Sequence, residues 1–396
     1  MLLSYSFSNF QSFVEPAEIS FVLTQRDVAE GWVRTSGAGR RVATAMAVMG
    51  ANGAGKSGVI RVGGLVSWFM SESFSLPPED ALPFRPHMAH LDAPSTFKAV
   101  YEGGDGAEWS YELQIRANRI ELESLTRKGS EPGSRASRIF TREAHGDGYA
   151  VSQSLGLADS EAAKVRPNVS LISWARQYGS DMAQRITKVP LVTNLDRWGR
   201  EPSTASAQLA AAAYFEKHSN HRDSMRSLMK QWDFGLSDVR LQSLPARPTA
   251  GGDPGEAEWI PVGIHRADDQ TFELPFWHES SGTQRAFVLL WKLLPVLEYG
   301  GIALIDELEA DLHPHMIEPL LRLFHSEATN PHGAQLVFTC HSPEVLRSFH
   351  RAQVTFVEKV ECESEAYRGD AIEGLTNQHN LYNKYLSGAL GAVPQV

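Results

Sequence analysis

The 396-residue sequence predicts an α/β fold: a mixed sheet flanked by helices, an antiparallel β subdomain beside it, and an inserted short helical arm. Three observations carry that expectation. Near both ends of the chain, short apolar runs ending in glycine or acids alternate with stretches of helical periodicity, the pattern of parallel strands covered on both faces. A block from Thr96 to Leu125 alternates apolar and polar residues with period two. The stretch from Asp159 to about Lys230 is Ala-rich and helical in pattern, without the sustained heptads of a long coiled coil.

Taken in order, Leu3–Phe7 and Ile19–Leu23 read as two strands paired across a turn near Glu15-Pro16. A polar, Gly-containing loop follows, roughly Gln25 to Arg41. Ala43 to Met49 is an apolar run that stops at glycine, and Val59 to Phe69 is apolar at helical spacing. Phe97, Val100, Tyr101, Trp109, Tyr111, Leu113, Ile115, Ile120, Leu122 and Leu125 mark an antiparallel sheet with a turn at Gly103–Gly106. Lys128 to Ser137 is polar and reads as an exposed loop. Leu244 to Glu256, rich in Pro and Gly, is the clearest linker. The last third alternates again: helix at Ala286–Leu297, strand at Ile302–Ile305, helix at Ile317–Phe324, strand at Gln335–Thr339, helix at Pro343–Phe349. The expected division is 1–127 and 257–396 as two parts of one head, with 128–256 as the arm and linker.

The apolar fraction of 42% and charged fraction of 21% belong to a globular chain, not a disordered or fibrous one. The net charge of -10 argues against a general nucleic-acid coat, which needs a basic balance. Two cysteines, Cys340 and Cys362, provide no disulfide framework or zinc site by themselves. No basic residue precedes Arg26, unlike a secretory leader, and the most apolar stretch, broken by Lys292 and Pro295, is too short to span a bilayer. The expected location is the cytoplasm, without a membrane partner.

Gly50-Ala51-Asn52-Gly53-Ala54-Gly55-Lys56-Ser57 fits the G-x-x-x-x-G-K-[ST] pattern without a mismatch. Each position has a mechanical reason. The glycines let main chain wrap a phosphate at φ values other residues avoid. The exposed N–H groups of Asn52, Gly53, Ala54 and Gly55 and the following helix start face the anion. Lys56 brings a point charge to the β- and γ-phosphates, and Ser57 offers a hydroxyl to Mg²⁺. By residue usage, such a pattern arises by chance in about one chain in a hundred of this length.

Ile302–Ile305 runs into Asp306-Glu307. Beside a phosphate loop, the first acid serves Mg²⁺ and the second can orient or deprotonate the attacking water, so Glu307 is the candidate base. Glu279-Ser280-Ser281-Gly282-Thr283-Gln284-Arg285 leads into the helix before that strand. Alone, it reads as a capped helix start with Ser280 or Ser281 as the cap.

This order of phosphate loop, Ser-Ser-Gly-Thr-Gln, Asp-Glu strand and lone histidine after a strand resembles the ABC-type ATPases. The resemblance implies an ABC-type P-loop ATPase head. Ser281, Gly282 and Thr283 are similar to the family's signature loop, with Thr283 where glycine is commoner. That loop of one subunit completes the nucleotide site of another. Glu309-Ala310-Asp311-Leu312-His313-Pro314 resembles its dimer-contact loop, and His341 its switch histidine at the γ-phosphate. Within the class, the SMC-related ATPases of bacterial defence operons, the RloA and OLD-like group, are most similar. Asn9-Phe10-Gln11-Ser12-Phe13 resembles their opening and Tyr385 to Pro394 their ending. No glutamine stands near Phe84-Arg85-Pro86-His87, where the family's glutamine loop is expected.

The resemblance implies ATP and Mg²⁺, a homodimer or higher homo-oligomer, and an ATP-sandwich switch in anti-phage defence. OLD-like relatives carry a nuclease after the ATPase, whereas this chain ends with it. A separate toxic effector encoded nearby and a phage protein as trigger are therefore expected. The alternative is an SMC-like DNA-repair or DNA-organising ATPase, and a third reading holds ATP as structural glue. Asp311, His313, His315 and His341 give a competing reading as a metal cluster, at a spacing easily met by chance. Cys340 and His341 alternate in a strand and face opposite ways, so they make no shared-proton pair. Arg116, Arg119, Arg127, Lys128, Arg135, Arg138 and Arg142 are interleaved with acids and read as a solvated face, with DNA or RNA binding there as the lesser reading.

Overall fold

A computed structural model describes residues 1–396 except 118, 132, 196–203, 233, 246–256, 311, 377–378 and 394–396. The linker beyond 245, Asp311 and Pro394 lie outside the described residues. Six strands form the central sheet: β5 (Ala45–Gly50), β11 (Leu191–Thr193), β15 (Ile302–Ile305), β16 (Gln335–Cys340), β17 (Val354–Val360) and β18 (Glu363–Arg368). Their order is β11-β15-β16-β5-β17-β18, parallel except for β18. β5 pairs with β16 on one side and β17 on the other, so the two ends of the chain build one sheet. Every residue of β5, β15 and β16 is buried. Burial at alternate positions alike means both faces are covered, which explains why these runs show no period-two pattern.

The second layer is a seven-stranded antiparallel sheet of β1 (Leu2–Ser8), β2 (Ala17–Ser20), β6 (Ser95–Glu102), β7 (Glu108–Arg116), β8 (Arg119–Lys128), β9 (Ala136–His145) and β10 (Gly148–Gln153), ordered β10-β9-β8-β7-β6-β1-β2. β3 (Val33–Thr35), inside the stretch read as a loop, pairs with β4 (Arg41–Ala43) at its end as a hairpin. β12 (Asp238–Leu244), β13 (Glu258–Ala267) and β14 (Gln270–Pro275) form a small antiparallel sheet.

Helix α1 (Lys56–Glu72) follows the phosphate loop and buries Val59, Ile60, Val62, Val66 and Phe69 against both large sheets. α2 (Asp159–Ala162), α3 (Leu171–Gln177), α4 (Asp181–Ile186), α5 (Ala205–Lys217) and α6 (Ser219–Gln231) supply the helices of the middle segment. α5 and α6 lie on α7 (Ser281–Tyr299), which ends at Gly300 in the left-handed conformation. α8 (Ile317–His325) and α9 (Leu381–Leu386) complete the set, while Pro343–Arg347 is a short 3-10 helix.

The expected fold class is thus present: a mixed sheet flanked by helices, an antiparallel β unit, and compact helices between. The middle segment also adds strands β9 and β10, which polar residues along their exposed faces hid from the period-two test. Arg142 requires a correction. It is fully buried, not part of a solvated face. Its guanidinium donates to the carbonyls of Val165, Arg166 and Val169, lies over the Tyr149 ring at 3.7 Å, and sits 3.9 Å from buried Glu123. Glu123 in turn accepts from Tyr111, Ser170 and the Leu171 amide. This pair fastens the start of α3 to the antiparallel sheet.

Candidate nucleotide-binding site

The phosphate loop sits where β5 ends. A Cβ at Gly50 would fall 2.2 Å from the Val357 carbonyl oxygen, so only glycine lets β5 run this close to β17. Gly55 has φ 112, a conformation side chains rarely adopt, and it turns the chain into α1. The loop is tied down by Ser364 of β18, whose hydroxyl bonds the Ala54 carbonyl (2.6 Å) and the Ser12 hydroxyl (2.7 Å).

Lys56 is buried at 6% exposure. Its ammonium donates to the carbonyls of Gly50 (2.8 Å) and Ala51 (2.9 Å) and lies 3.4 Å from His341 Nδ1. Burial lowers its pKa, opposed by the nearby carboxylates of Asp306, Glu309 and Glu307. Ser57 Oγ donates to Asp306 Oδ2 at 2.8 Å.

Asp306 is held at every polar atom. Thr339 Oγ1 donates to Oδ1 at 2.7 Å, and Asn194 accepts from the Asp306 amide and donates to its carbonyl, both at 2.7 Å. Glu307 follows at φ 48, in the left-handed region that non-glycine residues seldom occupy. Its amide donates to Thr339 Oγ1 at 2.7 Å, and the Leu308 amide donates to the Thr339 carbonyl at 3.0 Å. This sharp turn leaves the Glu307 side chain 40% exposed, with Oε1 3.9 Å from His341 Nε2. The His341 amide donates to Glu309, whose other carboxylate oxygen is buried without a partner.

Asn52, Gly53, Gly55, Lys56, Ser57, Asp306, Glu307 and His341 line one cleft of about 1210 Å³, with Ala54 buried beneath. The clustering of a buried ammonium, three carboxylates and a hydroxyl suits a polyanion bound with a hard cation. Ser281, Gly282 and Thr283 are elsewhere, at the start of α7. There Ser280 is the helix cap, accepting from the Thr283 amide at 3.1 Å, while Ser281 stays exposed. Buried Cys340, its thiol pushed up by burial, lies beside Glu309 of the cleft. Among the described residues, no three His, Cys, Asp or Glu side chains converge as a metal cluster.

Four contributors escaped the sequence reading. Thr339 bridges both acids, and its hydroxyl in an otherwise apolar strand was the available signal. Asn194 had none that spacing could reveal, and the sequence places Glu309 only in the dimer-contact loop. Gln11 also lines the cleft, and its backbone N–H donates to the Arg85 carbonyl at 2.9 Å.

The sequence profile of the family described as "AAA domain, putative AbiEii toxin, Type IV TA system" matches residues 45–347, from β5 to just past His341. The chain belongs to this AAA-domain family. No curated protein matches it. Among solved structures, this AAA-domain chain is similar to an Smc head bound to the C-winged helix domain of ScpA, at 10% identity over 92% of this chain and 97% of that one, with a TM-score of 0.47. It is also similar to the recombination mediator RecF bound to ATPrS (10% identity, 92% and 98% coverage, TM-score 0.37) and to RecF with ATP (12%, 86% and 92%, TM-score 0.36). Among the described residues, no helix is long and apolar enough to cross a membrane.

Proposed function

We propose that this chain binds and hydrolyses ATP, that two copies close over two ATP molecules, and that the resulting switch serves anti-phage defence by holding and releasing a separate toxic effector. One observation carries the nucleotide reading: Lys56, Ser57, Asp306, Glu307 and His341, from three parallel strand ends, converge on a single cleft. Ser57 Oγ and Asp306 Oδ2 are hard oxygen donors 2.8 Å apart, a set suited to holding Mg²⁺, which would neutralise phosphate charge. The loop amides and the start of α1 receive the phosphates. Lys56 adds its charge where burial strengthens it. Glu307 orients the attacking water and takes its proton, and His341 meets the γ-phosphate.

Ser281, Gly282 and Thr283 stand away from their own chain's cleft with Ser281 exposed, which supports assigning them to a partner's nucleotide. Hydrolysis would then separate the two copies, a ligand-driven two-state change able to release an effector when a phage protein triggers it. The toxin and TA system named in the family description support the defence setting.

The test is phosphate release by wild type and Glu307→Gln, with both sized with and without ATP-Mg²⁺. Turnover by the wild type only, and ATP-dependent dimerisation that persists in the variant, is the expected result. Failure of both proteins to bind ATP refutes the assignment of Lys56 and Asp306. Binding without turnover points to ATP as glue. Hydrolysis accelerated by DNA points to the DNA-repair or DNA-organising alternative.

A further inference from the structure

A second cavity, of about 310 Å³, lies farther along α1, taking Gly63, Val66 and Met70 where the phosphate-loop cleft takes Lys56, Ser57 and Gly58. Tyr5 of β1, Val66 and Met70 of α1, and Leu304 of β15 form its apolar wall, so both large sheets and the helix behind Lys56 border it. Its rim is the 186–190 connection, where Val189 is 42% exposed, unusual for a branched aliphatic residue beside a cavity. The volume is at the lower end for small-molecule sites, which run from about 300 Å³ upward.

The cavity continues into a polar groove, because Arg176, Thr187 and Lys188 line both. Arg185 joins them there. Arg176 donates to the Ser71 carbonyl at 3.0 Å and Arg185 to the Asp181 carbonyl at 3.3 Å, both main-chain acceptors. Among the described residues none of the three cations is paired with a carboxylate. The acids present are Glu72 in the cavity and Asp181 in the groove, so three cations outnumber two acids. An apolar wall beside a cationic mouth suits a ligand that joins an apolar body to an anionic head.

We propose that this cavity binds a small amphiphile, with one apolar chain against Tyr5, Val66, Met70 and Leu304 and an anionic head on Arg176, Arg185 and Lys188. This site stands independently of the nucleotide reading.

Isothermal titration of the full chain with decanoate, octanoate and decylamine tests it. Decanoate should bind saturably with one molecule per chain. Octanoate should bind about fifteen-fold more weakly, since each buried methylene contributes about four-fold. Decylamine should not bind detectably. Arg176→Glu combined with Lys188→Glu should weaken decanoate about ten-fold or more, a loss expected when charge pairing turns to repulsion. Val66→Phe should abolish decanoate binding by filling the chamber. Should Val66→Phe fail to fold, the surface charge reversal and the chain-length series decide the matter. Absence of saturable binding, equal binding of decylamine, no dependence on chain length, or unchanged affinity in the charge-reversed protein each overturns the proposal.

Discussion

Replacing Glu307 separates two effects that the site combines. The residue sits at φ 48, and for a side chain this conformation costs about 1–2 kcal/mol. The turn is imposed by its surroundings: Thr339 Oγ1 accepts from the Glu307 amide, the Thr339 carbonyl from the Leu308 amide, and the Glu307 carbonyl from the Ala310 amide. Glu307→Ala removes the carboxylate and keeps the backbone cost. Glu307→Gly removes both, against an added unfolded-chain entropy of about 0.4–1 kcal/mol. The glycine variant should therefore be more stable than the alanine variant by about 0.5–1 kcal/mol. In a chain of 396 residues, 1 kcal/mol moves Tm only about 1 °C. Urea unfolding reads the difference better, as a midpoint about 0.2–0.3 M higher for an m-value near 3 kcal/mol/M. Both variants should lose ATP hydrolysis by about 10²–10⁴-fold if Glu307 is the base. A glycine variant less stable than alanine would show that the turn is not left-handed in solution. Hydrolysis surviving in either variant would remove Glu307 from the base role.

Lys56→Met should lose ATP binding yet gain stability at neutral pH, because burial depresses the folded-state pKa of Lys56. The sign follows from proton binding: between that depressed value and the ordinary 10.5 the unfolded chain holds more protons, so wild-type stability rises with pH there, and the variant's advantage shrinks, as urea titrations across alkaline pH would show. Arg142→Met leaves Glu123 buried and unpaired and should destabilise by about 3–5 kcal/mol, measured by urea unfolding. Asp238, held below its ordinary pKa by its hydrogen bonds from Arg226, contributes stability above 3.8 that disappears as pH falls through its folded value. Both side chains are over a third accessible in part, so Asp238→Asn should cost no more than about 1 kcal/mol at pH 7 and nothing in strong acid. Ser281→Arg should leave ATP binding by the single chain intact while blocking ATP-dependent dimerisation, read by light scattering.

What the sequence made legible followed from periodicity and local chemistry. The phosphate loop and its flanking elements could be placed because glycine, lysine and serine have separate mechanical duties at fixed spacing. The central strands announced themselves as unbroken apolar runs because both faces are covered. β9 was illegible because most of its residues face water and only Ile139 to Arg142 are buried together. Arg142 was misread for the same reason in reverse: a charged residue is ordinarily solvated, and its burial depends on carbonyls 23 to 27 residues away. Asn194 reaches Asp306 by tertiary contact alone, which no spacing rule reports, whereas Glu309 follows the acidic pair closely in sequence.

Where local rules are broken also separates the parts of the proposed mechanism. In the cleft, a lysine is buried, a glutamate is held in a left-handed turn, and a carboxylate oxygen of Glu309 is buried without a partner. Such violations persist only where the surrounding structure over-determines them, and they gather where a ligand is received. At the start of α7 the departure is a buried arginine, Arg285, while the cap itself is ordinary. Ser280 caps the helix, Thr283 is buried and bonded to that cap, and Gln284 donates to the Glu279 carbonyl. The cap of this helix, satisfied within its own turn, gives no sign of function within one chain. In the proposed dimer, the exposed Ser281 acquires a task when a second chain presents a phosphate to it. That contrast predicts where mutational effects divide: substitutions in the cleft should alter both stability and nucleotide binding of the single chain. Exposed substitutions at Ser281 should leave the single chain unchanged and act only on the assembled pair. Equal loss of ATP binding in the monomeric Ser281→Arg chain would put this helix start in its own chain's site and remove the reason for assigning it across the dimer.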